Sequence, residues 1–250
     1  MKIVSFVNET KDRVIDELIK ASGSGKCVKT TTPFKVGDAH VSVIRGGAIE
    51  KAAVTLLEMK QVVTPESDKP QDYMVFQMEI FPENPNCPIG HFNTEWSLSG
   101  EGPYHMNLDL FPAVEITEDI DEMKAVMDNI AAEFKIDKDK MREGLTDHYN
   151  MAHWEKPLAA NVGCKLMHLK NEQVDLFIAS YNAFFEKYLE ILERRKDTPF
   201  TEADTLLKRR RNGKWLEYIA IKDNAVKMGL ATGIPPEVII NLCFPPSAIF

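Results

Sequence analysis

The sequence predicts an α+β protein, a large and mostly antiparallel β-sheet covered by α-helices. Strand-like segments come in one run and helix-like segments in another, which favours an antiparallel sheet over a doubly wound parallel one. Two strand-like stretches, HFNTEWSL and YHMNLDLF, flank a short Gly- and Pro-containing segment from Ser97 to Pro103, the pattern of a hairpin. The clearest helix runs from Asn171 to Lys196. There Val174, Phe177, Ile178, Tyr181, Phe184, Phe185, Tyr188, Leu189 and Leu192 make a broad apolar stripe.

Element by element, Asn8 to Ala21 places Val14, Ile15, Leu18 and Ile19 at helical spacing. The small Ser22–Gly25 segment ends it. Strands are expected at His40–Arg45, Ala52–Met59 and Tyr73–Phe81. Thr64 to Gln71, with two prolines, reads as a polar loop, and Pro82 to Pro88 as a turn. Thr117 opens a helix whose first turn carries Glu118, Asp119 and Asp121, a charge sign that suits the positive end of the helix dipole. A second helix is expected from about Asp137 to Tyr149, then a strand from Val162 to Leu169. Thr201-x-x-Asp204 resembles a capping box and starts another helix. Trp215 to Ile221 reads as a strand. Pro235 and Pro236 begin a short final helix.

The hairpin carries the chemistry. Side chains alternate across a strand, so His91, Asn93 and Glu95 share one face, and so do His105, Asn107 and Asp109. Phe92, Thr94 and Trp96, like Tyr104, Met106, Leu108 and Leu110, take the opposite face. Pairing centred on Gly100 sets His91 against Asp109, Asn93 against Asn107 and Glu95 against His105. A slip of one residue would separate the triplets onto opposite faces. Two plainer readings stay open here: a hairpin with one wet face, and a metal site in which His91, His105 and Asp109 supply a two-histidine, one-carboxylate triad.

Composition excludes several function classes. The net charge of −8 over 250 residues opposes non-specific nucleic-acid binding, which needs a positive field. Cys27, Cys87, Cys164 and Cys243 show no C-x-x-C spacing, so reduced thiols in a cytoplasmic protein are expected. MKIVSFVNETKDR turns charged too early for a signal peptide, and no apolar run is long enough to span a membrane. Ser22-Gly-Ser-Gly-Lys26 lacks the first glycine and the Ser/Thr of a phosphate loop; Lys20 and Cys27 stand there instead. Lys208 to Arg211 reads as a solvated helix face, and His153 and His168 as lone structural histidines.

Several segments together resemble the oxygen-dependent coproporphyrinogen III oxidases. Gly46-Gly47-Ala48-Ile49-Glu50-Lys51-Ala52-Ala53-Val54 resembles the family's GG-x-(V/F)-EKAGV segment. The stretch from Pro82 to Asn93 resembles P-x-NP-x-x-PT-x-HFN. Leu108 to Pro112 is similar to the DLTP turn, and Tyr188 to Phe200 to the family's helix end. Trp215 to Tyr218, Gly229-Leu230 and Phe244 to Pro246 match in order. The resemblance implies one domain over residues 1–250, a sheet flanked by helices on both sides, and a homodimer. It implies a tetrapyrrole ligand, oxidative decarboxylation of propionates to vinyls, molecular oxygen as the possible acceptor, and no metal or organic cofactor. His91 and Asp109 fall on the catalytic positions; Asn93, Glu95, His105, Asn107 and Asp223 would line the substrate cleft.

The departures share one character. Carboxylates are best gripped by the planar fork of arginine. The family's arginine after HFN-x is Glu95 here, and that of its DRG turn is Asn224. His153 to His168, HWEKPLAANVGCKLMH, has no arginine where the family has an arginine-rich stretch. Gly233 to Glu237 lacks the arginine of GGRTE, and Ala53 to Leu57 lacks the Asn and Ser of GVN-x-S. A ring bearing fewer carboxylates, or a binding role without chemistry, follows as an expectation.

Overall fold

The computed structural model describes residues 2–64, 67–98 and 103–250. Its centre is a seven-stranded meander in the order β1 to β7, every neighbouring pair antiparallel. The strands are β1 (Lys26–Phe34), β2 (Gly37–Gly46), β3 (Ile49–Thr64), β4 (Ser67–Pro82), β5 (Ile89–Ser97), β6 (Tyr104–Phe111) and β7 (Cys164–Leu169). The helices are α1 (Lys2–Ser22), α2 (Thr117–Glu133), α3 (Lys138–Arg142), α4 (Leu145–His148), α5 (Val174–Arg195), α6 (Glu202–Ile221), α7 (Asn224–Ala231) and α8 (Pro236–Cys243).

Alternation along the strands separates two environments. One face is apolar: Ile44, Val54, Phe76, Met78, Phe92, Trp96, Met106 and Leu108 pack against Phe6, Val14 and Leu18 of α1 and Phe177, Tyr181, Phe184 and Tyr188 of α5. Phe92 meets four rings of α5, three of them edge-on, a favoured aromatic geometry. On this side α2 is clamped to α5 by Arg194 and Arg195, which converge on Asp119. The other face holds the polar triplets and is roofed by α6, α8 and the 145–158 segment. Phe81, Phe111, Tyr149, Trp154, Trp215, Tyr218 and Leu242 close that side.

The hairpin register is the one centred on Gly100. His91 pairs with Asp109, Asn93 with Asn107 and Glu95 with His105. The turn itself, at 99–102, lies outside the described residues. The expected polar loop from Thr64 to Gln71 is largely extended strand, since β4 begins at Ser67; residues 65 and 66 are also outside the description.

Other elements correct the sequence reading. Helix α1 begins at Lys2, with Ile3, Phe6 and Val7 extending its buried stripe. Strand β1 was not expected. Its KCVKTTTPF run is polar and mostly exposed, as an edge strand can be. The helix expected from Asp137 to Tyr149 is two short helices, broken where Gly144 takes a left-handed φ of 78°. Trp215 to Ile221 is not a strand but the last part of α6. Trp215, Tyr218 and Ile219 are buried while Ile221 is 57% exposed, so the buried positions follow the helical i, i+3, i+4 spacing. The reciprocal Thr201–Asp204 capping box starts that helix. Helix α7 was missed; it is capped by the Asp223 side chain, which accepts from Val226 N–H.

The basic run is a solvated face only at Arg209 and Arg210, which are exposed. Lys208 is buried and donates to Glu50 Oε2 and to the carbonyls of Pro82 and Glu83, while Arg211 donates to those of Pro112 and Pro157. Both tie α6 to loops at the sheet edge.

Close packing on the apolar face leaves Gly90 no room for a side chain. A Cβ there would lie 2.6 Å from Cε2 of Tyr188, a buried ring held by its hydroxyl to Pro88 O. Gly90→Ala should therefore lower stability by about 1–3 kcal/mol, the usual cost of overpacking. Urea unfolding of the two proteins checks this, and equal midpoints would contradict it.

Candidate active site

The polar face of β4, β5 and β6 forms the floor of a cavity of about 330 Å³, within the size range of small-ligand sites. His91, Asn93 and Glu95 of β5, Asn107 of β6 and Gln77 of β4 contribute from the sheet. The roof supplies Tyr149, His148, Tyr218, Lys222 and Asp223, with apolar walls from Val226, Ile234, Ile239 and Leu242.

At its deepest point lies a chain of three buried side chains. Glu79 Oε1 is 2.6 Å from His91 Nδ1, and His91 Nε2 is 2.7 Å from the Tyr149 hydroxyl. Glu79 arrives there because Glu79 and His91 are paired neighbours on adjacent strands. Burial pushes its carboxyl above the usual carboxylate range, and the His91 contact opposes that shift. Tyr149 ends α4 at its C-cap, held by Phe111, His148 and Tyr218 rings at 4.6–5.5 Å. Burial raises its phenol well above the ordinary value. Beside it, the Tyr218 hydroxyl meets His148 Nε2 at 3.1 Å. Burial lowers the His148 imidazole to about 4, so it is neutral at physiological pH.

The structure gathers His91, Asn93, Glu95, Asn107 and Asp223 at one cavity. Glu95 accepts from the Tyr73 hydroxyl at 3.2 Å. Asn107 presents a buried side-chain carbonyl without a hydrogen-bond partner. Asp223 lies at the rim and also caps α7. Two other residues singled out from sequence sit elsewhere. His105 is buried against His168, whose backbone N–H reaches its Nδ1 at 3.2 Å. Asp109 turns into the 161–163 segment, where the N–H groups of Asn161, Val162 and Gly163 donate to its carboxylate at 2.9–3.2 Å.

The metal reading of the hairpin does not fit this geometry. Both His91 nitrogens are engaged and Asp109 faces backbone amides. Among the described residues no three His, Cys, Asp or Glu side chains converge in a metal-holding group.

Sequence reasoning missed Glu79, Gln77, Tyr149, His148 and Tyr218. Gln77 and Glu79 alternate in YMVFQMEIF, so the strand period offered a signal for them. Of the other three, His148 and Tyr218 sit on helices and Tyr149 follows the end of α4, where nothing in the sequence pattern tells which residues face the sheet.

The coproporphyrinogen III oxidase family model matches residues 3–250. The chain belongs to that family. The antiparallel sheet with helices on both faces is what its resemblance to these oxidases implied. A curated relative, the chloroplastic oxygen-dependent coproporphyrinogen-III oxidase of Nicotiana tabacum, is 25% identical over 261 aligned positions, covering 90% of this chain and 64% of the relative. The chain thus spans just under two thirds of that relative's length. No helix among the described residues is long and apolar enough to cross a membrane.

Asp109 offers a pH test. Burial raises its carboxyl from 3.8 to about 6, with the backbone hydrogen bonds only partly offsetting this. The folded state therefore holds the proton more tightly than the unfolded state. Its contribution to stability is greatest below the unfolded value and is lost as pH rises through about 6. Relative to Asp109→Asn, the wild type should lose on the order of 2–3 kcal/mol between about pH 4 and pH 6.5. A pH series of urea unfolding curves measures this difference, and a constant difference would contradict it.

Proposed function

We propose that this member of the coproporphyrinogen III oxidase family is a tetrapyrrole-acting oxidoreductase of haem biosynthesis. The observation that carries the reading is the cavity itself: His91 and a row of amides and carboxylates on one sheet face, closed by apolar side chains, in a chain of that family. In the reaction class, a propionate on a reduced ring loses carbon dioxide, one proton and two electrons and becomes a vinyl. Molecular oxygen accepts the two electrons, that proton and a second proton from solvent, leaving as hydrogen peroxide, and no metal or organic cofactor is needed. Acceptors on the floor, Glu95 and the Asn107 carbonyl, suit pyrrole N–H donors. The His91 imidazole, with one nitrogen able to accept and one able to donate, suits proton transfer.

The substrate carries fewer carboxylates than a tetrapropionate ring. Among the described residues the lining has no arginine, and its one lysine, Lys222, donates to the carbonyls of Asp147, His148 and Asn150 instead. Glu95 and Asp223 would repel a propionate placed beside them. Asp109 then acts by fixing the 161–163 segment behind the floor rather than by touching the ring. His105 supports the far end of the same strand. The protein works as a cytoplasmic homodimer built from this one domain, residues 1–250. The missing carboxylate clamps also support a second reading, a non-catalytic tetrapyrrole binder on the same scaffold.

An aerobic assay with freshly reduced coproporphyrinogen III, run beside a ring with two propionates, separates these. Turnover is expected with the less carboxylated ring and weak or absent with the tetrapropionate. His91→Ala should lower turnover by about 100-fold or more, the usual span of general acid–base catalysis. Binding of both rings without any product would leave only the binder.

A further inference from the structure

We propose that Tyr149 is the residue that exchanges protons with the ring, drawing on His91 behind it, and that Glu79 is the positioning residue that makes this possible. This deepens the reading above and rests on it.

Glu79 Oε1 takes a hydrogen bond from Gln77 Nε2 at 3.1 Å, with the amide oriented by that contact, and lies 2.6 Å from His91 Nδ1. An oxygen already accepting from an amide is met by an Nδ1 that donates. The Nδ1–H is thereby assigned, and Nε2 is left with its lone pair. The Tyr149 hydroxyl, 2.7 Å from that nitrogen, is the donor. His91 is consequently saturated, with both nitrogens spent inside the protein. A ligand seated in the cavity cannot reach a free imidazole nitrogen without displacing Tyr149. Both residues line the cavity and are almost wholly buried, but the phenol oxygen, having donated its one proton, keeps lone pairs.

The proton step balances without any external reagent. A ring N–H bond breaks as its proton passes to Tyr149 Oη. The original Oη–H bond breaks as that proton passes to His91 Nε2, forming a new N–H bond. The ring has lost one proton, Tyr149 is again a neutral phenol, and the imidazolium lies against the Glu79 carboxylate. No phenolate need persist, which agrees with a phenol whose ionisation is strongly disfavoured by burial. The arrangement also accounts for an expensive feature. Glu79 is fully buried and its second oxygen has no hydrogen-bond partner, a cost that an apolar side chain at this position would not carry.

The test has two arms on the full chain. In proton NMR, a far-downfield imidazole N–H resonance is expected in the wild type, lost in Glu79→Gln and moved in Tyr149→Phe. A spectrum unchanged by either substitution overturns the relay. In turnover, with the ring that the wild type accepts, Tyr149→Phe should lower kcat by about 100-fold or more. Its affinity for that ring, measured by fluorescence quenching, should stay within about threefold, since only a hydroxyl is removed. A kcat unchanged by Tyr149→Phe overturns the catalytic assignment, as does a loss confined to binding. If the wild type turns over neither ring, the oxidoreductase reading fails and the NMR arm alone decides the relay. If Glu79→Gln does not fold, Tyr149→Phe, which removes one atom, carries both arms.

Discussion

The antiparallel register of β5 and β6 is the constraint on which the rest depends. It sets His91 beside Asp109 and Asn93 beside Asn107, and it orients both polar triplets to the same side. The strand period admits no intermediate arrangement: a slip of one residue between the two strands would send one triplet to the face packed against α5 and its apolar partners to the polar face. The apolar face enforces the register, because Phe92, Trp96, Met106 and Leu108 are essentially inaccessible there. Hydrophobic burial on one side thus positions the chemistry on the other.

A sheet face rich in carboxylate, amide and imidazole is costly to roof over. The structure meets that cost group by group. Glu79 is matched to His91 and Gln77, His91 to Tyr149, and Asp109 to three backbone amides. Lys51, fully buried beneath α8, donates to the carbonyls of Ile240 and Phe244, and burial lowers its ammonium to about 8. The buried atoms left without a partner include the Asn107 carbonyl, one oxygen of Glu79 and the Thr55 hydroxyl on the sheet, and the amide oxygens of Asn150 and Asn212 in the roof.

The family scaffold persists in this chain while the cationic character of the site does not. Its remaining cations are structural: Lys51, Lys208, Arg211 and Lys222 each hold carbonyl groups of adjoining segments. Guanidinium and ammonium groups that a polyanionic ligand would need are engaged in holding the roof to the sheet. Acceptors dominate what remains open, and this is what supports the proposal of a ligand poorer in carboxylates.

By itself the sequence determined the α+β class, the triplet faces and, through the symmetry of the two triplets about Gly100, their pairing. Period-two alternation is a local property, and it survives folding unchanged. Five residues of the cavity, His91, Asn93, Glu95, Asn107 and Asp223, were legible in this way or through family resemblance. Only the tertiary structure decided which groups meet. WLEYIAI has the composition of a strand, yet the Thr201 cap and the burial of Trp215, Tyr218 and Ile219 make it helix. Asp109 shares the face of His91 but turns to the 161–163 amides, because side-chain rotamers answer to neighbours 52 to 54 residues away. Tyr149 reaches His91 across 58 residues, through a helix break at Gly144 and a roof assembled from separate segments. Such long-range contacts have no local periodicity, so no pattern in the chain announces them.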